Sequence, residues 1–192
     1  MAEFSDNHPN ISPERRKQLR EGILDRPERS YLLSGPSRYG KTRMMEELFE
    51  RTPFTKARQH SQCFLNAKEW QDSMTDAANG RYHSPTWGNT KESDGSNVYP
   101  LVSPRNLAAG QMGDVKAAVF IDDIDKLKGS DFINGEFWAL LEVIMRQKHQ
   151  LVLSTNLDKE QFYAHFGRTI AGRIIEHCVW VEFKDKQEVT NG

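Results

Sequence analysis

The sequence predicts an α/β fold: a parallel sheet with helices on both faces. Three observations carry that expectation. Short apolar runs alternate along the chain with longer segments of helical period, the order that parallel strands need for their crossovers. Two of the runs, AAVFIDDID and QLVLSTN, are continuously apolar and end in polar residues, as strands buried on both faces do. A glycine-bearing stretch, GPSRYGKT at 35–42, joins one apolar run directly to a helix-forming one.

Residues 1–11 read as an arm. Ser12-Pro13-Glu14 then reads as a helix start, with a hydroxyl cap, a proline in the first turn and an acid near the positive helix end. The helix ERRKQLREGILD ends before Pro27, and SYLLS follows as a strand. After the glycine loop, KTRMMEELFER places apolar residues at 44, 45, 48 and 49, a helical period, and Pro53 stops it. CFLNA (63–67) reads as a second strand and KEWQDSMTDAAN as a helix with Trp70 and Met74 on one face.

Between Gly80 and Pro104 the periodicity fails among Gly, Pro, Ser and Asn, which predicts a long loop. Loops of that length in compact domains are functional or disordered. NLAAGQ reads as a short helix, AAVFIDDID as a buried strand, and GEFWALLEVIMRQK as a helix with Phe137, Leu140, Leu141, Ile144 and Met145 on one side. QLVLSTN is a further strand. Asp158 is placed to cap the helix KEQFYAHF, TIAGRIIEH is a second short helix, and CVWVEF is the last strand. The implied organisation is an arm and helix over 1–27, a core over 28–184 and a tail over 185–192, with no internal repeat.

The 192 residues suffice for one sizeable core. A content of 37% apolar and 28% charged residues is that of a soluble globular protein. The net charge of −1 names no partner, so a nucleic-acid surface would have to be a local patch. No apolar stretch reaches membrane-span length, and the polar start MAEFSDNHPNISPERRKQ is unlike a signal peptide, so a cytoplasmic protein with no membrane partner is expected. Cys63 and Cys178 each lie in an apolar run and are expected to be core thiols, not a disulfide or a zinc site.

The spacing G-x-x-x-x-G-K-T between a strand and a helix predicts a phosphate-binding loop. Backbone N–H groups of residues 37–42 would face the phosphates at the positive helix end. Lys41 would reach the β and γ oxygens of ATP, and Thr42 would hold Mg²⁺ through its hydroxyl. The candidate nucleotide-binding set is Gly35, Pro36, Ser37, Arg38, Tyr39, Gly40, Lys41, Thr42 and Arg43. Arg38 and Tyr39 stand where many such loops carry a second glycine.

A nucleotide site also needs acids at the end of a neighbouring strand. Asp122 is assigned to the metal and Asp123 to the attacking water, where many hydrolases of this kind carry the longer glutamate. Asp125 and Lys126 read as a solvated turn. Asn156, ending the next strand, is placed to hydrogen-bond the γ-phosphate or the water. Arg168 and Arg173 are too far apart to share one helical face, so only one of the two is expected to complete a neighbouring subunit's site.

In order and rough spacing, GPSRYGKT, FIDDID, LVLSTN and GRIIEHCVWVEF resemble the AAA+ P-loop ATPases. Within that family they resemble helicase loaders of the DnaC type and transposition helpers of the IstB type. The likeness covers about residues 28–184. It implies an ATPase that self-associates through an arginine finger and acts with a helicase or transposase on single-stranded DNA. By that likeness Lys41 and Thr42 bind phosphate and Mg²⁺, Asp122 and Asp123 serve metal and water, Asn156 senses the γ-phosphate, and Arg173 is the finger.

Three departures stand out. A helicase-binding domain is missing or reduced to the first 27 residues. KDKQEVTNG carries no arginine and leaves no room for a helical lid. The 80–104 stretch is longer than such proteins need, and its Tyr82, His83, Trp87 and Tyr99 beside Arg81 and Lys91 could stack bases. Two other readings of the same loop are an ATP-gated switch with little turnover and a small-molecule kinase. The kinase reading lacks the arginine-bearing lid that phosphate transfer to an acceptor needs.

Overall fold

The computed structural model describes residues 11–53, 64–82, 99–100, 102–108 and 116–184. The first ten residues of the expected arm (1–11), Cys63, most of the long loop with His83, Trp87 and Lys91, the end of NLAAGQ, and the tail from 185 lie outside the described residues.

Five strands form one all-parallel sheet. They are β1 (Tyr31–Ser34), β2 (Phe64–Asn66), β3 (Ala118–Asp122), β4 (Gln150–Thr155) and β5 (Val179–Glu182), in the spatial order β2-β3-β4-β1-β5. The helices are α1 (Pro13–Leu24), α2 (Lys41–Arg51), α3 (Ala67–Ala78), α4 (Pro104–Ala108), α5 (Asp131–Gln147) and α6 (Lys159–His177). A single 3₁₀ turn, Ile124–Lys126, follows β3. Gly167, at φ 71°, interrupts α6 where the sequence predicts two separate helices.

Alternation along the strands divides the core between two faces. Tyr31, Leu33, Phe120 and Val152 pack with Leu19, Ile23, Met44, Met45 and Leu48 of α1 and α2. Leu32, Val119, Ile121, Leu151 and Leu153 pack with Trp70, Met74, Phe137, Leu140, Ile144, Phe162 and Ile174 of α3, α5 and α6. Helices therefore cover both faces, and strands covered on both faces carry the continuous apolar runs seen in the sequence. Each fully buried Leu, Ile or Phe contributes about 1.5–3 kcal/mol of transfer free energy. Met145, expected on the packed side of α5, is partly buried there. Cys178 is buried and free, and burial pushes its thiol well above the ordinary range, so it behaves as a core residue.

Side chains cap four of the five long helices. Ser12 caps α1, Asn66 α3, Ser130 α5 and Asp158 α6; α2 begins at Gly40 with no side-chain cap. The order β2-β3-β4-β1 brings the C-terminal ends of β1, β3 and β4 side by side, with Ser34 level with Thr155 and Ile121 level with Leu153.

Candidate nucleotide site

The glycine loop leaves β1 at Gly35, whose N–H donates to Thr155 O at 3.2 Å. Gly35 has φ +145°, and a Cβ on it would meet the carbonyl oxygen of Phe183 at 2.6 Å, so only glycine fits between β1 and the chain leaving β5. Arg38 and Gly40 both adopt left-handed backbone, at φ 67° and 85°. The second glycine common in such loops therefore corresponds to a positive-φ position that this chain fills with arginine, at a cost of about 1–2 kcal/mol.

The loop delivers Lys41 into the fold. Its ammonium donates to Gly35 O (2.6 Å), Pro36 O (2.8 Å) and Asn156 Oδ1 (3.0 Å). Lys41 is only 5% exposed. Burial depresses its pKa, and the charges of Asp123, Asp122 and Asp125 oppose that shift. One residue on, Thr42 donates its hydroxyl proton to Asp122 Oδ2 at 2.7 Å. The structure thus puts the glycine-loop lysine and threonine, the β3 aspartate and the asparagine just after β4 in one place.

Two residues missed by sequence reasoning complete the arrangement. Ser154, fully buried near the end of β4, donates its hydroxyl to Asp122 Oδ1 and accepts the Asp123 N–H at 2.9 Å. It fixes both aspartates from the neighbouring strand. A serine amid the apolar run LVLSTN was the available signal, since a buried hydroxyl must find partners. Asp125 accepts the Asn156 N–H at 2.9 Å and its side-chain Nδ2 at 3.1 Å. The DDID turn is therefore tied to β4, whereas the sequence reads Asp125 as solvated.

Asp123 sits in left-handed backbone at φ 56° and pairs with Lys126, while Asn156 Nδ2 donates to it at 3.3 Å. The hydrogen bond to Asp123 raises the pKa of Lys126.

Ser37, Arg38, Gly40, Lys41, Thr42, Arg43, Glu46, Asp123 and Asn156 line a cleft of about 320 Å³. Arg43 faces Glu46 at 3.1 Å. Tyr39 packs partly buried against the α1–α2 side of the core. Arg173 is not in the cleft: on the far half of α6 it pairs with Glu142 at 3.6 Å and lies over the Trp138 ring at 5.9 Å. Arg168 is exposed on the same half-helix. Of the long loop, Tyr99 is anchored through its carbonyl by Asn106 Nδ2 (2.8 Å) and has Arg105 over its ring at 5.9 Å.

The donor set fits a Mg²⁺–triphosphate. The start of α2, which no side chain caps, offers the positive end of its dipole. Lys41 adds one ammonium, and Thr42 with Asp122 adds a hydroxyl–carboxylate oxygen pair of the kind Mg²⁺ takes. Among the described residues no group of three His, Cys, Asp or Glu could hold a metal unaided, so the phosphates themselves would supply further ligands. No described helix is long and apolar enough to cross a membrane.

No family model and no curated protein sequence matches the chain. Solved structures do. The chain is similar to the DnaC helicase loader, with a TM-score of 0.58 at 12% identity, covering 90% of each chain. It is also similar to AMPPCP-bound DnaA from Aquifex aeolicus, with a TM-score of 0.55 at 11% identity over 88% of this chain. A third similar structure is the replication initiator DnaA bound to AMPPCP and single-stranded DNA, with a TM-score of 0.55 at 12% identity over 87% of this chain. The chain spans 44% to 45% of those two DnaA chains. With the strand order already in place, these likenesses show that the chain shares the fold of the DnaC helicase loader and of the matching part of DnaA.

Proposed function

We propose that the protein is a Mg²⁺-dependent ATPase that acts in DNA replication or mobile-element movement, loading or regulating a helicase or transposase on single-stranded DNA. One observation carries the nucleotide part: the Thr42 hydroxyl meets the Asp122 carboxylate at 2.7 Å beside the buried Lys41 ammonium, at the one long described helix whose start no side chain caps. The likeness to a helicase loader and to DnaA supports the replication part.

The roles follow from the donor chemistry. The N–H groups of the Ser37–Thr42 turn hold phosphate oxygens, and Gly35 lets the loop leave β1 close against Phe183. Lys41 exchanges its carbonyl partners for phosphate oxygens. Thr42 and Asp122 would hold Mg²⁺, and Ser154 fixes the Asp122 carboxylate. Bound there, Mg²⁺ would supply positive charge against the charge that develops on the phosphates. Asp123 orients and accepts a proton from water, and Asn156 offers its amide to the γ-phosphate. Arg173, outside its own cleft, is the group that a neighbouring copy would receive once its contacts with Glu142 and Trp138 open.

The test is ATP turnover with and without single-stranded DNA, alongside the solution mass with a non-hydrolysable analogue. Nucleotide-dependent assembly with DNA-stimulated turnover is expected. R173A should leave nucleotide affinity unchanged and abolish the turnover gained on assembly; unchanged turnover would remove the finger.

A second reading has an observation of its own. The Asp123 carboxylate is engaged by Lys126 and Asn156 and is one carbon shorter than glutamate. That favours an ATP-gated switch with slow turnover. Tight analogue binding and assembly without stimulated hydrolysis would select it.

A further inference from the structure

Asp125 has no part in the roles just described, yet both of its carboxylate oxygens are engaged by Asn156, which lines the cleft. One of its oxygens accepts the backbone N–H of Asn156 at 2.9 Å, and the other accepts the Asn156 side-chain Nδ2 at 3.1 Å. From the opposite side, Asn156 Oδ1 accepts the Lys41 ammonium at 3.0 Å. An ammonium only donates and an ionised carboxylate only accepts. The amide therefore has a single orientation that satisfies both neighbours, with oxygen toward Lys41 and nitrogen toward the acids.

Asp123 is the lesser anchor. Its contact with Nδ2 is longer, at 3.3 Å, and its carboxylate is shared with Lys126. Asp125 grips Asn156 at both main chain and side chain, across two strands. An aspartate that merely closed its own 3₁₀ turn would have no use for those contacts.

We infer that Asp125 is a positioning residue for the nucleotide chemistry of this cleft, clamping Asn156 so that its amide presents one fixed donor and acceptor pattern. The inference rests on the ATPase reading above. It assigns a task to the last acid of FIDDID that differs from those of Asp122 and Asp123.

Asp125→Asn keeps size and shape and sharpens the test. One oxygen still accepts the N–H of residue 156, but the other atom becomes an NH₂ facing Asn156 Nδ2. Flipping the Asn156 amide relieves that clash and turns its NH₂ toward the Lys41 ammonium. No orientation then satisfies both sides. The expected result is a fall in kcat of about 10- to 100-fold, typical for lost outer contacts of a reactive centre, with KM for ATP little changed. Because Asp125 acts through Asn156, D125N in an N156A background should lower kcat no further than N156A alone. Multiplicative effects of the two changes, or a wild-type kcat in D125N, would overturn the inference. If D125N does not fold, Asp125→Ser makes the same comparison, because its hydroxyl cannot span to Nδ2.

A second readout needs no turnover. In the nucleotide-free protein the Asn156 Nδ2 protons should exchange slowly by NMR, and D125N should release them. Unchanged protection would refute the clamp even if kcat fell. A wild type that neither binds nor hydrolyses ATP would sink the ATPase reading and Asp125's place in it, while the amide exchange would still report whether the clamp exists.

Discussion

Lys41→Ala probes the centre of the site, and its size can be worked from the contacts. The wild-type ammonium is almost fully buried and makes three hydrogen bonds to protein oxygens. Its desolvation is therefore already complete before any ligand arrives, as its depressed pKa reflects. A unit charge about 4 Å from a phosphate oxygen, at an effective dielectric constant of about 20, gains about 4 kcal/mol. Giving up bonds to Gly35 O and Pro36 O, each worth about 1 kcal/mol net, offsets part of that gain. The remainder is about 2 kcal/mol, or a weakening of ATP–Mg²⁺ binding by about 30-fold. Isothermal titration of wild type and variant with ATP–Mg²⁺ measures the ratio, and circular dichroism confirms that the variant is folded. A dissociation constant within a few-fold of wild type would mean that no phosphate sits at this ammonium, and the site assignment would fail.

Other expected outcomes concern the scaffold. Arg38→Gly should raise stability by about 1 kcal/mol in urea titration, because φ 67° is strained for arginine and free for glycine; no gain would mean the loop conformation is wrong. Gly35→Ala should destabilise by more than about 1 kcal/mol, since its Cβ would collide with Phe183 O at positive φ. Ser154→Ala should cost about 1–3 kcal/mol of stability by leaving the buried Asp122 carboxylate short of a donor, and should weaken Mg²⁺ dependence more than nucleotide affinity without metal.

Stability should also fall on acidification in two steps. Burial depresses the pKa of His149, and also of His177 against a weaker opposing hydrogen bond. The unfolded chain therefore takes up those protons first, and stability declines as pH drops below about 6.5. For Asp125, burial works to raise the pKa, but the hydrogen bonds led by the Asn156 N–H and amide outweigh it and depress the folded value. Its contribution is complete above about pH 4 and is lost as pH falls through the folded pKa. Urea midpoints across pH read both steps, and a flat profile between pH 7 and 5 would contradict the histidine step.

Much of this was legible in the sequence, and the reason is local. The alternation of apolar runs and helical periods dictates a parallel sheet covered on both faces, because each pattern reports burial within a few residues. The spacing of Gly35, Gly40, Lys41 and Thr42 dictates a strand–loop–helix turn, because left-handed backbone and a close approach at Gly35 admit few residues. Asp122 at the end of a buried strand was readable for the same reason: a carboxylate there needs partners.

What lies between elements could be decided only by the tertiary structure. The order β2-β3-β4-β1 seats β4 between β3 and β1, and that adjacency places Ser154 on Asp122 and Asn156 between Lys41 and Asp125. No spacing along the chain encodes these pairs, because hydrogen bonds between strands depend on register across the sheet. Likewise Arg173 looks like any helical arginine until the fold sets it on Glu142 and Trp138, away from its own cleft. Sequence supplies the groups and their local backbone; three strand ends converging through long-range packing decide which groups meet.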